Sequence, residues 1–323
     1  MSKPVSRRDF LKGGAVALGT VAAARTLRNV DPVFAAQEEK AEVFFSRDLS
    51  AEGLRKLYAR VNQGIRGKVA VKVHTGEPNG PNIIPREWVR ALLPDVPNAT
   101  IVECNVLYPS PRQTTEGHRT TLATNGWDFC PVDIMDADGD VNLPVAGGKW
   151  ISELAVGRNI MRYDSMVVLT HFKGHTMGGF GGSLKNVAIG CASGKVGKEQ
   201  LHREGAELWS GGSNFMERMV EGGKAIVDHF GPRITYINVL RNMSVDCDCA
   251  GVEAAPVVTP DIGILASTDI LAVDQASVDM VYALPAAQRQ ALVERIESRS
   301  GLHQLAHMKA LKMGTAAYEV IPV

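Results

Sequence analysis

Apolar residues along the chain follow two periods, one typical of buried β-strands and one typical of helices. The segments with the strand pattern are KVAVKVHTG (68–76), ATIVECNVL (99–107), CPVDIMDAD (130–138), YDSMVVLTHF (163–172), RITYINVL (233–240), DIGILAST (261–268) and AAYEVIPV (316–323). Strands with apolar centres that alternate with helices predict a largely parallel sheet with helices on both faces.

Helical spacing of apolar residues marks the segments between these strands. In LSAEGLRKLYARVNQGI (49–65), Ser50 is the predicted N-cap. The other helical segments include IPREWVRALLPDV (84–96), RQTTEGHRTTLATNGW (112–127), NFMERMVEGGKAIVDHFG (214–231) and TDILAVDQASVDMVYAL (268–284). We therefore predict an α/β fold with a doubly wound sheet, in which residues 139–160 form either an inserted hairpin or a smaller second lobe.

The first 35 residues have the pattern of a twin-arginine export signal. Arg7 and Arg8 stand in SRRDFLK, a Gly/Ala-rich apolar run follows, and small residues near Ala35 suit cleavage. The run is short for a membrane span, and no second candidate follows it. We predict recognition by the twin-arginine export machinery, a periplasmic or otherwise exported location and one α/β domain over 36–323. The alternative is a basic amphipathic helix at residues 1–35.

Composition and charge exclude few functions. The whole chain has 35 basic and 35 acidic side chains, and removal of residues 1–35 leaves 29 basic and 33 acidic ones. The predicted mature chain therefore carries a formal charge of −4 and has no basic stripe. Because binding to a phosphate backbone depends on such basic surfaces, nucleic acid is not an expected partner.

Chemistry-bearing residues are densest in LTHFKGHTMGGFGGSLKNVAIGCASG (169–194), which begins in a predicted buried strand. Glycines leave backbone amides exposed, and amides at a helix N-terminus attract anions. Ser183 is the predicted cap of the next helix. The order of glycines and lysines in this stretch matches neither a Walker A loop nor a dinucleotide-binding fingerprint. The residues predicted to bind a small anionic substrate are Gly178, Gly179, Gly181, Gly182, Ser183, Lys185, Asn186 and, from another strand end, His74. The alternative is a structural glycine turn.

The same stretch contains the candidate catalytic residues His171, Lys173 and His175. The glycines around them disfavour a helix, so the two histidines are expected at a strand–loop junction rather than on one helical face. There, one could transfer protons and the other could act as a ligand. The alternative for each is a structural, hydrogen-bonded histidine.

A second dense motif is SVDCDCAG (244–251), in which Cys247 and Cys249 stand two residues apart. In extended chain their side chains share one face and can bind one soft metal or an iron–sulfur iron. The other cysteines match no standard cluster spacing, and the odd total of five argues against a complete disulfide framework. The alternatives are two buried thiols, or a hard cation bound through Asp246 and Asp248.

Several other polar and aromatic residues have structural interpretations. Glu103, Cys104 and Asn105 follow a strand and could reach the same site as His74. The residues expected to have structural or surface roles are Asp269 and Asp274 (helix cap and buried polar contact), Trp127 and Trp209 (packing), and His303 and His307 (solvated helix face, with a metal-binding pair as the alternative).

The motifs HFKGHTMGGFGGSLKN, DCDCAG and PDIGILASTDILAVDQAS together resemble the bacterial and archaeal family called domain of unknown function 362. The resemblance runs from about residue 65 to the C-terminus. Many members carry a fused ferredoxin-type module with Cys-x-x-Cys-x-x-Cys runs, which this sequence lacks. The resemblance implies an α/β fold and a site with His171, Lys173, His175, Lys185, Asn186, Cys247 and Cys249, but no particular reaction.

Three functions are consistent with these residues, and the plainer alternative is an exported scaffold without a cofactor. The first is an exported enzyme, an oxidoreductase by preference, with a bound metal or cofactor and a small anionic substrate. The second is a non-enzymatic carrier of a metal or redox centre. The third is a racemase or isomerase that uses paired histidines. All three require the cysteine motif and the glycine-rich stretch to meet at one place.

Overall fold

The computed structural model describes residues 40–323 and the backbone of Val5–Ser6. Its strands are β1 (Val5–Ser6), β2 (Ala41–Ser46), β3 (Val69–Lys72), β4 (Ala99–Glu103), β5 (Val132–Ile134), β6 (Asp140–Pro144), β7 (Glu153–Gly157), β8 (Ser165–His171), β9 (Lys173–His175), β10 (Gly179–Gly181), β11 (Ile234–Leu240), β12 (Gly263–Ser267) and β13 (Tyr318–Pro322). Apart from Val5–Ser6, the predicted signal segment 1–35 lies outside the described residues.

The helices follow the amphipathic segments. They are α1 (Ala51–Val61), α2 (Arg86–Leu92), α3 (Thr115–Thr124), α4 (Ser183–Cys191), α5 (Val196–His202), α6 (Gly212–Phe230), α7 (Ile270–Tyr282), α8 (Ala286–Ser298) and α9 (His303–Ala310). Short 3-10 helices span Leu93–Asp95, Pro111–Gln113, Arg158–Arg162, Gly231–Arg233 and Asp248–Glu253. Ser50 caps α1 as predicted, because its hydroxyl accepts from Gly53 N. Within the described residues, no helix combines the length and apolarity needed to cross a bilayer.

One sheet in the described residues has the strand order β1-β13-β2-β12-β11-β8-β3-β4-β5. The neighbours from β11 to β5 pair in parallel, as do β13 and β2. By contrast, β12 is antiparallel to both of its neighbours, and β1 is antiparallel to β13. The prediction of an α/β fold with a largely parallel sheet is confirmed. Residues 139–160 contain the antiparallel hairpin of β6 and β7.

Apolar side chains cover both faces of this sheet, as the continuous hydrophobic strands predict. In β8, Met166 and Val168 belong to the core on one face, whereas Val167 and Leu169 belong to the core on the other. Helices α4, α6, α7, α8 and α9 pack on the first face, and α1, α2 and α3 on the second. Each fully buried Leu or Val contributes about 1.5–3 kcal/mol.

The topology places the chemistry-bearing residues at one edge of the sheet. Strands β8, β3 and β4 are parallel neighbours, so their carboxyl ends meet at the same edge. His171, His74 and Cys104 lie at or just after these ends. In such sheets ligands bind beyond the carboxyl ends of the strands.

Candidate functional site

A cavity of about 300 Å³ lies beyond the carboxyl ends of β3 and β4 and is closed on another side by α4 and α5. Its volume is at the lower end of the range for small-molecule sites. The polar lining includes Lys72, His74, Glu103, Arg112, Lys173, His175, Lys185, Asn186, Lys198, His202 and Cys249. The apolar lining includes Val106, Leu107, Met177, Ile189 and Trp209.

The cysteine motif meets the glycine-rich stretch at this cavity. Lys185 Nζ lies 3.1 Å from the sulfur of Cys247, and Cys249 donates a hydrogen bond to the same sulfur. The hydrogen bond from Cys249 and the charge of Lys185 hold the pKa of Cys247 well below its ordinary value. The same hydrogen bond, together with burial, raises the pKa of Cys249. These opposite shifts in pKa favour the thiolate form at Cys247, beside the ammonium group of Lys185.

A close backbone approach positions the cysteine loop. Gly174 in β9 donates to Ser244 O at 2.8 Å, and a Cβ at Gly174 would stand 2.1 Å from Val245 O. Only glycine leaves room for this contact. Arg295 in α8 fixes the other side of the loop, because it donates to Val245 O and to the carboxylate of Asp246.

His171 and Lys173 bind the residue between the two cysteines. His171 Nδ1 lies 2.9 Å from Asp248 Oδ1, and Lys173 Nζ lies 2.9 Å from Asp248 Oδ2. Burial opposes the charge of Asp248, yet the two partners hold its pKa well below the ordinary value. His171 Nε2 lies 2.7 Å from Arg241 O, so both ring nitrogens of His171 are already engaged. The structure thus places His171 outside the cavity lining, in a positioning role.

His175 lines the cavity with a defined tautomer. Its Nδ1 accepts from Gly178 N at 2.7 Å, which leaves the proton on Nε2. Burial, reinforced by the charge of Lys185, lowers the pKa of His175 to about 3. His175 therefore stays neutral near pH 7 and can donate a hydrogen bond from Nε2.

A buried ionic network forms the opposite wall. Glu103 pairs with Lys72 at 2.7 Å and with Arg112 at 3.1 Å, and Arg112 also pairs with Glu77 at 2.9 Å. Burial opposes the charge of Glu103, but Lys72 and Arg112 hold its pKa well below the ordinary value. His74 Nδ1 lies 3.4 Å from Glu103, whereas its buried Nε2 has no partner among the described residues.

The N-terminus of α4 differs from the sequence prediction. Its N-cap is Gly182 rather than Ser183, and the Ser183 hydroxyl donates to Asn238 Oδ1 at 2.7 Å. The first amides of α4, those of Ser183 and Leu184, donate to the carboxylate of Asp274 at 2.7 and 2.9 Å. The chain itself supplies the anion that these amides attract, so they are not free for a substrate.

The remaining predicted glycines fall into two groups. Gly182 lines the cavity, whereas Gly178, Gly179 and Gly181 lie at or in the β9–β10 hairpin outside it. Gln304 donates to Gly178 O at 2.6 Å, which anchors this hairpin to α9. Asn186 does line the cavity, and its amide donates to Leu169 O and Thr170 Oγ1.

Sequence reasoning missed several cavity residues. Lys72 and Arg112 fall in a strand and in a proline-containing turn, where nothing marks them as site residues. Lys198 and His202 stand four apart in α5, which places them on one helical face, and that spacing was the available signal. Trp209 was expected to pack in the core, but 42% of it is exposed and it lines the cavity. Trp127 is buried as predicted.

Other predicted residues have internal partners. Asp269 caps α7 by accepting from Ala272 N, and Asp274 is buried, both as expected. His303 and His307 lie on one face of α9, are both partly exposed and each face a glutamate. His303 Nε2 lies 3.0 Å from Glu217, and His307 Nε2 lies 3.7 Å from Glu221.

The side chains of the two motifs do not form a complete donor set for a metal centre. Over residues 40–323 no group of three or more His, Cys, Asp or Glu side chains is arranged to hold a metal ion. Cys247 and Cys249 would supply two donors, while the ammonium of Lys185 already stands beside the Cys247 sulfur. Iron–sulfur clusters use four protein ligands, so these residues do not fit such a cluster. The carboxylates of Asp246 and Asp248 likewise face Arg295 and Lys173 rather than a vacant cation site.

Comparison with solved structures gives distant matches. The lactate racemase apoprotein from Thermoanaerobacterium thermosaccharolyticum is 12% identical, with a TM-score of 0.40 over 74% of this chain and 56% of that one. A protein from Thermotoga maritima is 14% identical, with a TM-score of 0.36 over 59% of this chain and 50% of that one. This chain therefore spans about half the length of these proteins.

Sequence comparison gives a firmer assignment. No curated protein matches the chain. The family model for domain of unknown function DUF362 matches residues 69–279, which include the strands that carry the site, both dense motifs and all but the last residues of α7. Because the match covers more than half of the chain, the protein belongs to the DUF362 family.

Proposed function

We propose that the protein is an exported enzyme that acts on a small organic anion in this cavity, with the thiolate of Cys247 as its reactive group. One observation carries the proposal. Cys247 is 1% exposed, accepts a hydrogen bond from Cys249 and lies 3.1 Å from Lys185 Nζ, and both of these partners line the cavity. Cysteine reactivity depends on the thiolate form, and a neighbouring lysine favours that form.

The thiol pair supports oxidoreductase chemistry above other classes. Oxidation of the Cys247 thiolate and the Cys249 thiol to a disulfide forms one S–S bond and releases two electrons and the one proton that the pair holds. A substrate that accepts a hydride equivalent would take up both electrons and the proton. A disulfide between residues two apart is strained and readily reduced, which suits a pair that must be regenerated.

Two alternatives have less support. A carrier of a metal or redox centre needs that centre near a docking surface, whereas Cys247 is almost fully buried. A racemase that uses His171 and His175 needs free ring nitrogens on both, and both nitrogens of His171 are engaged by Asp248 and Arg241. The burial and these contacts therefore favour the thiolate enzyme.

Ultraviolet titration of thiolate absorbance tests the proposal. The wild-type protein should keep a thiolate band far below the pH at which an ordinary cysteine ionises, and Cys247→Ser should abolish it. Lys185→Met should move the band to higher pH, because the stabilising positive charge is lost. Binding of a soft metal, checked by metal analysis of the anaerobically purified protein, would instead favour the carrier.

The chain offers matched controls for this titration. Cys130→Ser removes a cysteine away from the cavity, whose pKa burial raises despite the opposing charge of Arg90. Lys195→Met removes an exposed lysine near α5. Both variants should titrate like the wild type. A Cys247→Ser variant that retains the low-pH band would contradict the proposal.

The exported location rests on residues 1–35 alone, with Arg7 and Arg8 as its central feature. Twin-arginine signals require this pair, so replacement of both by lysine should block export. Fractionation of cells that produce the full chain measures this directly. The wild type should appear in the exported fraction, and Arg7→Lys/Arg8→Lys should remain inside the cell. Equal distribution of the two proteins would contradict the export proposal.

A further inference from the structure

The cations that line the cavity differ in how their charges are balanced. Lys72 and Arg112 pair with Glu103 and Glu77, Lys173 pairs with Asp248, and Lys185 lies beside the Cys247 thiolate. Lys198 is the exception within the described residues. It is 5% exposed, donates to Ala192 O at 2.6 Å and has no carboxylate or thiolate within ion-pair distance.

Counted by direct ion pairs, with histidines neutral, the cavity has one cation more than it has anions, and the carboxylates of Asp136 and Glu103 act on Lys198 only from beyond ion-pair distance. The five cations are Lys72, Arg112, Lys173, Lys185 and Lys198, and the four anions that pair with them are Glu77, Glu103, Asp248 and the Cys247 thiolate. Burial of an unpaired charge is costly, so an unmatched lysine in such a place favours a ligand of opposite charge.

The rest of the lining describes the ligand further. The same cavity is lined by the apolar side chains of Met177, Ile189 and Trp209, and by Leu107 from the β4 side. A small inorganic anion would leave these side chains without contacts. The cavity volume of about 300 Å³ corresponds to roughly ten water molecules, which suits a small organic molecule.

An unpartnered polar atom gives independent evidence for a ligand. His74 lines the same cavity, and its Nε2 is buried without a hydrogen-bond partner among the described residues. Buried polar atoms are nearly always satisfied in native proteins, by protein, water or ligand. A polar group on the ligand could satisfy this nitrogen.

We infer that the cavity binds an organic monoanion, a small monocarboxylate with an apolar body, and that Lys198 holds its carboxylate. The inference rests on the proposed function and names its substrate class. The apolar body packs against Trp209 and its neighbours, and the bound carboxylate balances the surplus charge. Neither Lys198 nor this subsite belongs to the residues that the sequence motifs identify.

Calorimetric binding with chosen probes tests this inference. Benzoate represents the proposed class, benzamide is its uncharged counterpart, and inorganic phosphate is an anion without an apolar body. The wild type should bind benzoate at least tenfold more tightly than either comparison compound. Loss of a charge-assisted contact in Lys198→Met should weaken benzoate binding roughly ten- to hundredfold and leave benzamide binding unchanged. Lys195→Met, its exposed neighbour, should bind benzoate as the wild type does.

Thermal unfolding without ligand gives a second readout that does not depend on the choice of probe. Because Lys198→Met removes a buried unpaired charge, its Tm should exceed that of the wild type. A lower Tm together with unchanged benzoate binding would overturn the inference, and so would equal wild-type affinity for benzoate and phosphate.

The outcome separates this inference from the thiolate proposal. Cys247→Ser removes an anion from the cavity, so it should bind benzoate at least as tightly as the wild type. If the thiolate titration fails while Lys198→Met still loses benzoate binding, the thiolate chemistry is wrong and the carboxylate subsite stands. If the thiolate band is present but Lys198→Met binds benzoate as tightly as the wild type does, the proposed carboxylate subsite is wrong and the thiolate chemistry stands.

Discussion

Two neighbouring regions attract anions: the N-terminus of α4 and the cavity one turn further along this helix. They differ in whether the protein itself supplies the negative charge. At the N-terminus, the amides of Ser183 and Leu184 and the side chain of Asn238 all donate to Asp274, a carboxylate of the chain itself. In the cavity, Lys185 lies beside a thiolate, and Lys198 has no anionic partner among the described residues.

This difference separates structure from function within one short stretch of sequence. A helix N-terminus and a buried lysine have the same preference for negative charge, and the sequence alone does not show which is already satisfied. The partner of the amides comes from α7, some ninety residues later. The satisfied region should therefore matter for folding, and the unsatisfied one for binding.

The largest expected effect is on stability, from Asp274→Ala. The change leaves the buried amides of Ser183 and Leu184 without a partner and takes one of two acceptors from the Asn238 side chain. Each unsatisfied buried donor costs about 1–3 kcal/mol. We expect the free energy of unfolding to fall by about 3–5 kcal/mol, measured by urea denaturation at neutral pH. Benzoate binding by the folded fraction should change little, because Asp274 lies outside the cavity lining.

Asp128→Ala is the matched control for this change. Asp128 is exposed, so its loss should alter the free energy of unfolding by less than about 0.5 kcal/mol. If Asp274→Ala were as stable as Asp128→Ala, the carboxylate would not be what holds the N-terminus of α4. The contrast between the two regions would then be lost.

A smaller effect is expected in the pH dependence of stability. One ionisable group from each region changes the free energy of unfolding with pH, and the two changes have opposite signs. Burial lowers the pKa of His175 to about 3, from 6.5, so between these values the unfolded chain binds a proton that the folded chain does not. Its contribution to stability is lost as the pH falls from about 6.5. Burial raises the pKa of Asp274 to about 6, from 3.8, so its contribution is lost as the pH rises through 6.

Urea denaturation of two variants across pH 4 to 7 measures these opposing slopes. Each group contributes up to about 1.4 kcal/mol per pH unit within its window. Compared with the wild type, His175→Asn should lose less stability on acidification. Asp274→Asn should lose more, because the opposing contribution is gone. The opposite result, in which His175→Asn loses more stability on acidification and Asp274→Asn loses less, would show that burial does not control these ionisations.

The fold was predictable because its signals are local. The apolar centres of β8 and β11 predict strands buried on both faces, and residues 166–169 do alternate between the two cores. Ser50 acts within one turn of its helix and was predicted correctly. The antiparallel direction of β12 was not predictable in this way, because strand direction depends on the path of the chain rather than on hydrophobic period.

The site was predictable in part. His175, Cys249 and His74 were expected at strand ends and loops, and Lys185 and Asn186 in the helix after Ser183. The structure places all five on one cavity. Ser183 was assigned as a cap, but the chain places Gly182 there because Asp274 takes over the capping of the amides. Lys198 was missed because its importance lies in the lack of a counter-charge, a property of the tertiary structure.

The most direct test of the account is a crystal structure of the protein grown with benzoate. The carboxylate should lie within hydrogen-bonding distance of Lys198 Nζ, with the ring against Trp209 and the Cys247 sulfur still beside Lys185. Benzoate bound at the amides of Ser183 and Leu184 in place of Asp274, or a cavity without benzoate at saturating concentration, would contradict the account.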